Sequence, residues 1–331
     1  SGLESEANFQ LLTSHEFFLN QMKNEFLGEK NMGDTVVSTL RADLQTVAYN
    51  ALGDRKGAVV ALEPSTGKIL AMVSKPDFDP NTLAENWDWL VSDETNSSLL
   101  NRATMGQYPP GSTFKILTMA ATLEESKANE NSRFYCGGST TVDGQRIKCW
   151  RSIGHGSQTL SEGLANSCNC VFVDLALRLG LDTFYNYFSS FGLGQKTGIE
   201  ISGESSGIIM NKDRAKRVDL ARMGFGQAIA VTPLQLITAV CAAVNGGTLY
   251  KPYLIDKIVS PDGVTVEESA VTPVRQVVSK QTSATLNVML EGVVSKTGKY
   301  TFVPGYELGG KTGTSQKYEN GTIARGKYVS S

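Results

Sequence analysis

The sequence predicts a mixed α/β (α+β) fold, a central antiparallel-type sheet flanked by helices. Three features carry that expectation. GAVVALEPSTGKILAMVS (57–74) is two apolar runs joined by Pro64-Ser65-Thr66-Gly67, the turn chemistry of a hairpin. Thr232-Pro233-Leu234-Gln235 opens an apolar helix as a capping box, with proline at the first helical position and Asn245-Gly246-Gly247 to close it. Strands interspersed with clustered helices then argue for one α/β or α+β domain from about residue 34 onward.

The remaining elements follow in order. Residues 14–27 read as a helix: Ser14 is a candidate N-cap, Phe17, Phe18, Met22 and Phe26 give a partly apolar face, and Gly28 can end it. Gly28 to Asp34 is a polar linker, so residues 1–33 are expected to be a separate element, the remnant of an N-terminal pedestal or linker. Leu40–Leu52 carries Leu44, Val47, Ala48 and Ala51 at helical spacing. CGGSTTVDGQRIKCW (136–150) reads as a hairpin turning near Asp143-Gly144. Ser283–Val294 is a further helix, with Lys296-Thr297-Gly298 as its cap.

Composition excludes several classes. Of 331 residues, 40% are hydrophobic and 19% charged, enough for a sizeable core. Lys and Arg total 31 against 33 Asp and Glu, so there is no basic excess for nucleic acid. The most apolar stretch, Ala228–Val244, is too short to span the ~30 Å of a bilayer core comfortably. Histidine occurs only at His15 and His155, so catalysis is expected to run without it. Five cysteines leave one unpaired if pairing is internal. Cys136 and Cys149, at facing hairpin positions, could bridge in an oxidising compartment, or could be two small hydrophobes. Cys168 and Cys170 are no metal site without partners, and no metal or cofactor is expected.

The chemistry concentrates in three short motifs. In PPGSTFKILTMAATLEE (109–125) the prolines and glycine stop a preceding helix, placing Ser112 at a helix start with Lys115 one turn on. The bland alternative is a serine cap with a solvated lysine. Against it, Lys115 is embedded among Phe114, Ile116, Leu117 and Met119, and a desolvated lysine becomes neutral enough to take a hydroxyl proton. The same pattern at Ser65–Lys68 lies in a hairpin turn, exposed to water. Ser167-Cys168-Asn169 is the chain's Ser-x-Asn, where either polar residue could instead be a cap. Lys311-Thr312-Gly313-Thr314, before Ser315-Gln316, reads as a strand whose glycine admits close approach of a ligand.

In this order the three motifs resemble the active-site set of penicillin-binding proteins and serine β-lactamases. NRATMGQYPPGSTFK (101–115) is similar to the approach to the family's nucleophile, and MGFGQAIAVTPLQLITAVCAAVNGGTLYKPYLI (223–255) to a segment of class B penicillin-binding proteins. The resemblance spans about residues 35–331, includes no glycosyltransferase domain, and implies the penicillin-binding transpeptidase / β-lactamase-like fold. It implies Ser112 as acyl-accepting nucleophile, Lys115 as proton acceptor, Ser167 as relay to the leaving amine and Asn169 as amide binder. Lys311 would add positive potential, Thr312 and Thr314 beside Gly313 would hold the substrate carboxylate, and Gln316 would lie on the rim. The backbone amides of Ser112 and Thr314 would form the oxyanion hole.

The function so implied is a peptidoglycan D,D-transpeptidase acting on D-Ala-D-Ala stem peptides and acylated by β-lactams. It would work on the extracytoplasmic face of a bacterial membrane, anchored by an N-terminal segment outside this chain, beside a membrane glycosyltransferase. The alternatives are a β-lactamase or D,D-carboxypeptidase of the same fold, with Glu200 or Glu204 as the acidic candidates for deacylation, or a β-lactam sensor. Two features depart from the family. Cys168 replaces the Asp common in β-lactamases, and the chain stops at Ser331, where a further strand and a C-terminal helix would be expected.

Overall fold

A computed structural model describes residues 2–92, 97–297, 301, 303–319 and 322–331. It is a mixed α/β structure in two compact units. One comprises Ser1–Gly106, Lys196–Ser205 and Tyr250–Pro273; the other Gln107–Gln195, Ser206–Leu249 and Val274–Ser331. Among the described residues the named strands form one antiparallel three-stranded sheet and six two-stranded pairs.

In the first unit the hairpin pairs Gly57–Leu62 with Ile69–Lys75. Ile69, Ala71 and Val73 are buried at alternate positions, as the two-residue period of a half-buried strand requires. The helix Ala42–Leu52 is fastened to this hairpin through Gln45, whose amide accepts from Met72 N at 2.8 Å and donates to Met72 O at 2.9 Å. Ile255–Val259 is the middle strand of the three-stranded sheet, between Thr35–Ser38 and Thr265–Glu268. The N-terminal residues form three short helices, Leu3–Glu6, Asn8–Leu12 and Phe18–Leu27. The last ends at Gly28 (φ 70°) as expected, but starts four residues after Ser14, because Phe17 holds the N-cap position. Its apolar face does not find a core: Phe17, Phe18, Met22 and Phe26 are all exposed.

The second unit is built on the helix Lys115–Glu124. Eight consecutive residues, Lys115 to Thr122, are buried, so this helix is enclosed on all sides. Phe114 at its entry packs on Phe184 and Phe188, with ring centroids 6.3 and 5.5 Å away. The helix Pro233–Val244 carries the expected capping box: Thr232 Oγ1 accepts from Gln235 N at 3.1 Å, and Gln235 Oε1 accepts from Thr232 N at 2.9 Å. Gln235 Nε2 also donates to Gln195 O and Ser206 O, tying two loops to the helix start. The second hairpin pairs Ser139–Val142 with Gln145–Lys148, and Asp143 (φ 47°) and Gly144 (φ 77°) adopt the two left-handed conformations of a tight turn. The helix expected over 283–294 is longer, Lys280–Thr297; Gly298, the glycine of its expected cap, lies outside the described residues. Among the described residues no helix is long and apolar enough to cross a membrane.

Thr232 is fully buried, so removing its hydroxyl leaves the Gln235 amide without an acceptor. Thr232→Ala should destabilise the protein by about 1 kcal/mol, read as a lower midpoint in denaturant unfolding. An unchanged midpoint would show that the cap contributes nothing.

Candidate active site

All three motifs fall in the second unit. Pro109-Pro110 leads into a 3-10 turn, Gly111–Phe114, that continues as the helix Lys115–Glu124. Ser112 therefore sits on the entry turn, half-buried, and its side chain caps neither element. Thr113 Oγ1 donates to Pro110 O at 2.6 Å and tightens the turn. Gly111 (φ 55°) donates its N–H to Gly226 O at 3.0 Å. A Cβ on Gly226 would lie 2.0 Å from Gly111 O, so the Gly224-Phe225-Gly226 segment backs directly onto the serine turn.

Lys115 is fully buried, and its ammonium has three acceptors: Ser167 O at 2.7 Å, Asn169 Oδ1 at 2.8 Å and Ser167 Oγ at 3.1 Å. Its three donor hydrogens are thus matched one to one. Burial pushes its pKa down to about 7, the Lys311 charge adds to that shift, and the sulfurs of Cys168, Cys149 and Cys170 oppose it. Near neutral pH the amine is therefore partly in the form that can accept a proton.

The acceptors come from one turn. The helix Leu160–Ala165 starts with a Thr159–Glu162 capping box and ends just before Ser167, which adopts φ 50°. A left-handed serine costs on the order of 1–2 kcal/mol, and here it turns both Ser167 oxygens toward Lys115. Cys168 takes the N-cap position of the helix Asn169–Leu179 without a side-chain bond, so neither Ser167 nor Asn169 serves as a cap. Asn169 Nδ2 donates to Lys148 O at 3.2 Å while its Oδ1 faces Lys115, which fixes the amide orientation.

The third motif straddles a strand start. Thr314–Glu319 is the strand, paired with Thr322–Ser330, and Gly313 extends the ladder by exchanging backbone bonds with Ser331. Thr312, Thr314 and Gln316 are exposed at alternate positions, whereas Gly313 and Ser315 are buried. A Cβ on Gly313 would meet Pro110 O at 2.9 Å and Ser331 Oγ at 2.6 Å. Its bareness admits the serine turn and the neighbouring strand. Ser315, whose role was not read from the sequence, donates to Pro109 O at 2.7 Å and pins the strand to the same turn. Lys311 Nζ donates to Thr312 O at 2.9 Å, and burial pushes its pKa down to about 8. Gln316 lines a cleft with Tyr108, Gln227 and Ile229.

Cys136 and Cys149 are free thiols, not a disulfide. Cys136 ends the strand Arg133–Cys136, which pairs with Gly156–Thr159 instead of joining the hairpin, while Cys149 follows the hairpin's second strand. Glu200 and Glu204 are engaged within the first unit. Glu204 accepts from Thr197 N, Thr197 Oγ1 and Gly198 N, and Glu200 accepts from Leu254 N.

A buried lysine clamped by a serine and an asparagine, one turn after a second serine, is an arrangement that can activate a hydroxyl for acyl transfer. The chain belongs to the penicillin binding protein transpeptidase domain family, which matches residues 57–330. Stage V sporulation protein D of Bacillus subtilis is 44% identical over 275 residues, covering 82% of this chain and 41% of that protein. Peptidoglycan D,D-transpeptidase PbpA of Mycolicibacterium smegmatis is 33% identical over 351 residues, covering 98% of this chain and 69% of that one. The ceftriaxone acyl-enzyme complex of penicillin-binding protein A from M. tuberculosis superposes with a TM-score of 0.87 at 29% identity, over 96% of this chain and 75% of that one.

Two outcomes follow from the geometry. The rate of penicillin acylation should rise with pH through about 7 as Lys115 loses its proton, and Lys311→Gln should move that rise to higher pH by removing a neighbouring charge. A pH–rate profile unmoved by the substitution would uncouple the two lysines. Gly313→Ala should lower the acylation rate at least about ten-fold by forcing the strand off the serine turn, since an ~1 Å misplacement can cost 10²-fold. Stopped-flow acylation measures both.

Proposed function

We propose that the chain is the catalytic domain of a class B penicillin-binding protein, a D,D-transpeptidase that cross-links peptidoglycan stem peptides through an acyl-enzyme on Ser112. One observation carries the reading: the fully buried Lys115 amine, with a pKa near 7, bonded to Ser167 and Asn169 one turn after Ser112. The names of its relatives support it.

In this mechanism neutral Lys115 takes the Ser112 hydroxyl proton as Oγ bonds to the penultimate D-Ala carbonyl carbon. The backbone N–H groups of Ser112 and Thr314 hold the developing oxyanion, an interaction worth ~2.7–4 kcal/mol per donor in other enzymes. Collapse breaks the amide C–N bond, and the proton on Lys115 passes through Ser167 to the departing D-Ala amine. Lys311, Thr312 and Thr314 receive the terminal carboxylate, and Asn169 and Gln316 align the peptide. An amine of a neighbouring stem peptide then attacks the ester, returning its proton by the same route. A β-lactam enters as the acyl donor and stays bound, because its amine cannot leave. The domain would act on the extracytoplasmic face of the membrane beside a glycosyltransferase that supplies the glycan strands.

The engagement of Glu200 and Glu204 with backbone amides favours transfer over hydrolysis. Incubation with labelled penicillin should give one stable adduct per chain by intact mass, absent in Ser112→Ala. Equal labelling of the variant would remove Ser112 from its role, and rapid turnover without an adduct would make the protein a hydrolase.

A further inference from the structure

Four of the five cysteines converge. The sulfurs of Cys136, Cys149, Cys168 and Cys170 all lie within 4.8 Å of one another, and all four residues are buried. They come from separate places in the chain: the end of the strand Arg133–Cys136, the residue after the strand Gln145–Lys148, the turn before the helix Asn169–Leu179, and that helix's first turn. Cys149 Sγ and Cys168 Sγ are 4.0 Å apart, twice the length of a disulfide bond. A tetrahedral cation bound to sulfur at ~2.3 Å places its ligands roughly 3.8 Å apart, so the cage is close to that size already.

His155 Nδ1 lies 3.7 Å from Cys149 Sγ. A ring nitrogen so placed can orient a metal-bound sulfur from outside its coordination shell. The fifth cysteine, Cys241, sits in the apolar helix Pro233–Val244 and is not part of the group.

We propose that Cys136, Cys149, Cys168 and Cys170 together bind one divalent cation of the zinc class, as a closed tetrathiolate site that braces the turn carrying Ser167 and Asn169. Four sulfur ligands and no open position make the site structural, and soft thiolates select zinc over magnesium or calcium. Binding releases the protons of the thiols that still hold them, leaving a net charge of −2 on the cation and its four thiolates. Cys168 lies between the two residues that clamp Lys115, and Cys170 follows the second, so the cation would fix the acceptors of the catalytic amine without touching substrate.

The test uses the whole chain, purified under reducing conditions from zinc-supplemented medium, with metal content by mass spectrometry. One zinc per chain is expected, falling to near zero in Cys149→Ser and Cys170→Ser and unchanged in Cys241→Ser. Cobalt in place of zinc should give an intense thiolate-to-cobalt charge-transfer band. Chelation of the unmodified protein should lower its melting temperature and slow penicillin acylation about ten-fold, both reversed by added zinc. This arm keeps the site testable where a cysteine variant fails to fold, and the metal count and the cobalt band do not depend on the transpeptidase reading. The proposal is overturned if the reduced protein neither retains nor takes up zinc or cobalt, if the metal survives Cys149→Ser, or if the chain lacks metal and is two hydrogens lighter from a disulfide. Zinc removal without change in acylation would overturn the bracing role.

Discussion

The second unit depends on keeping the ammonium of Lys115 out of water. A lysine at zero exposure is tolerated only where its donors are met, and here three oxygens meet them. All three belong to Ser167 and Asn169, so one turn satisfies the buried charge. That turn holds its serine in a left-handed conformation an isolated chain would rarely keep, stabilised by the capped helix before it and the buried Asn169–Leu179 helix after it. Desolvation also makes the lysine a base. The burial that requires three acceptors is the same burial that lowers its proton affinity into the neutral range. A chain with two histidines thereby holds a base matched to neutral pH.

The second constraint is steric. The serine turn is approached by backbone from two sides, by the Gly226 segment and by Gly313 just before its strand, at distances that no Cβ would permit. Gly111 N–H to Gly226 O and Ser315 Oγ to Pro109 O then lock the three segments together. Exposed Thr312, Thr314 and Gln316 are left as the strand's free face beside Ser112. Positioning here comes from small residues packing backbone on backbone, which is stiffer than positioning by long side chains.

Local signals were readable in the sequence. The Asp143-Gly144 turn and the Thr232–Gln235 capping box need only neighbouring residues, and both are present. The burial of Lys115 could be inferred from its apolar neighbours, since an enclosed helix shows its surroundings in its own composition. What failed depended on distant contacts. The helix cap falls at Phe17 and not Ser14, and the exposed apolar face gives the longer helix no burial to reward it. At Gly313 a strand glycine signals close approach without saying of what, and only the fold shows that the serine turn is one neighbour. Cys136 and Cys149 looked like a hairpin pair, yet Cys136 belongs to a strand whose partner, Gly156–Thr159, lies beyond the hairpin. The division into two units follows from segments 196–205 and 250–273 returning to the first, which no local pattern encodes.

Ser167 to Cys170 is where the two demands meet, and the alternation of their side chains makes both satisfiable. Ser167 and Asn169 face Lys115, whereas Cys168 and Cys170 join the sulfur cluster. A displacement of either set must therefore move the other, because four consecutive residues at a helix start cannot shift independently. Cys168 has no exposed surface, so a larger side chain in its place would have to push the turn toward the lysine or open the cluster. A thiol fits between them, in a turn shared by the sulfur cluster and the acceptors of the Lys115 amine.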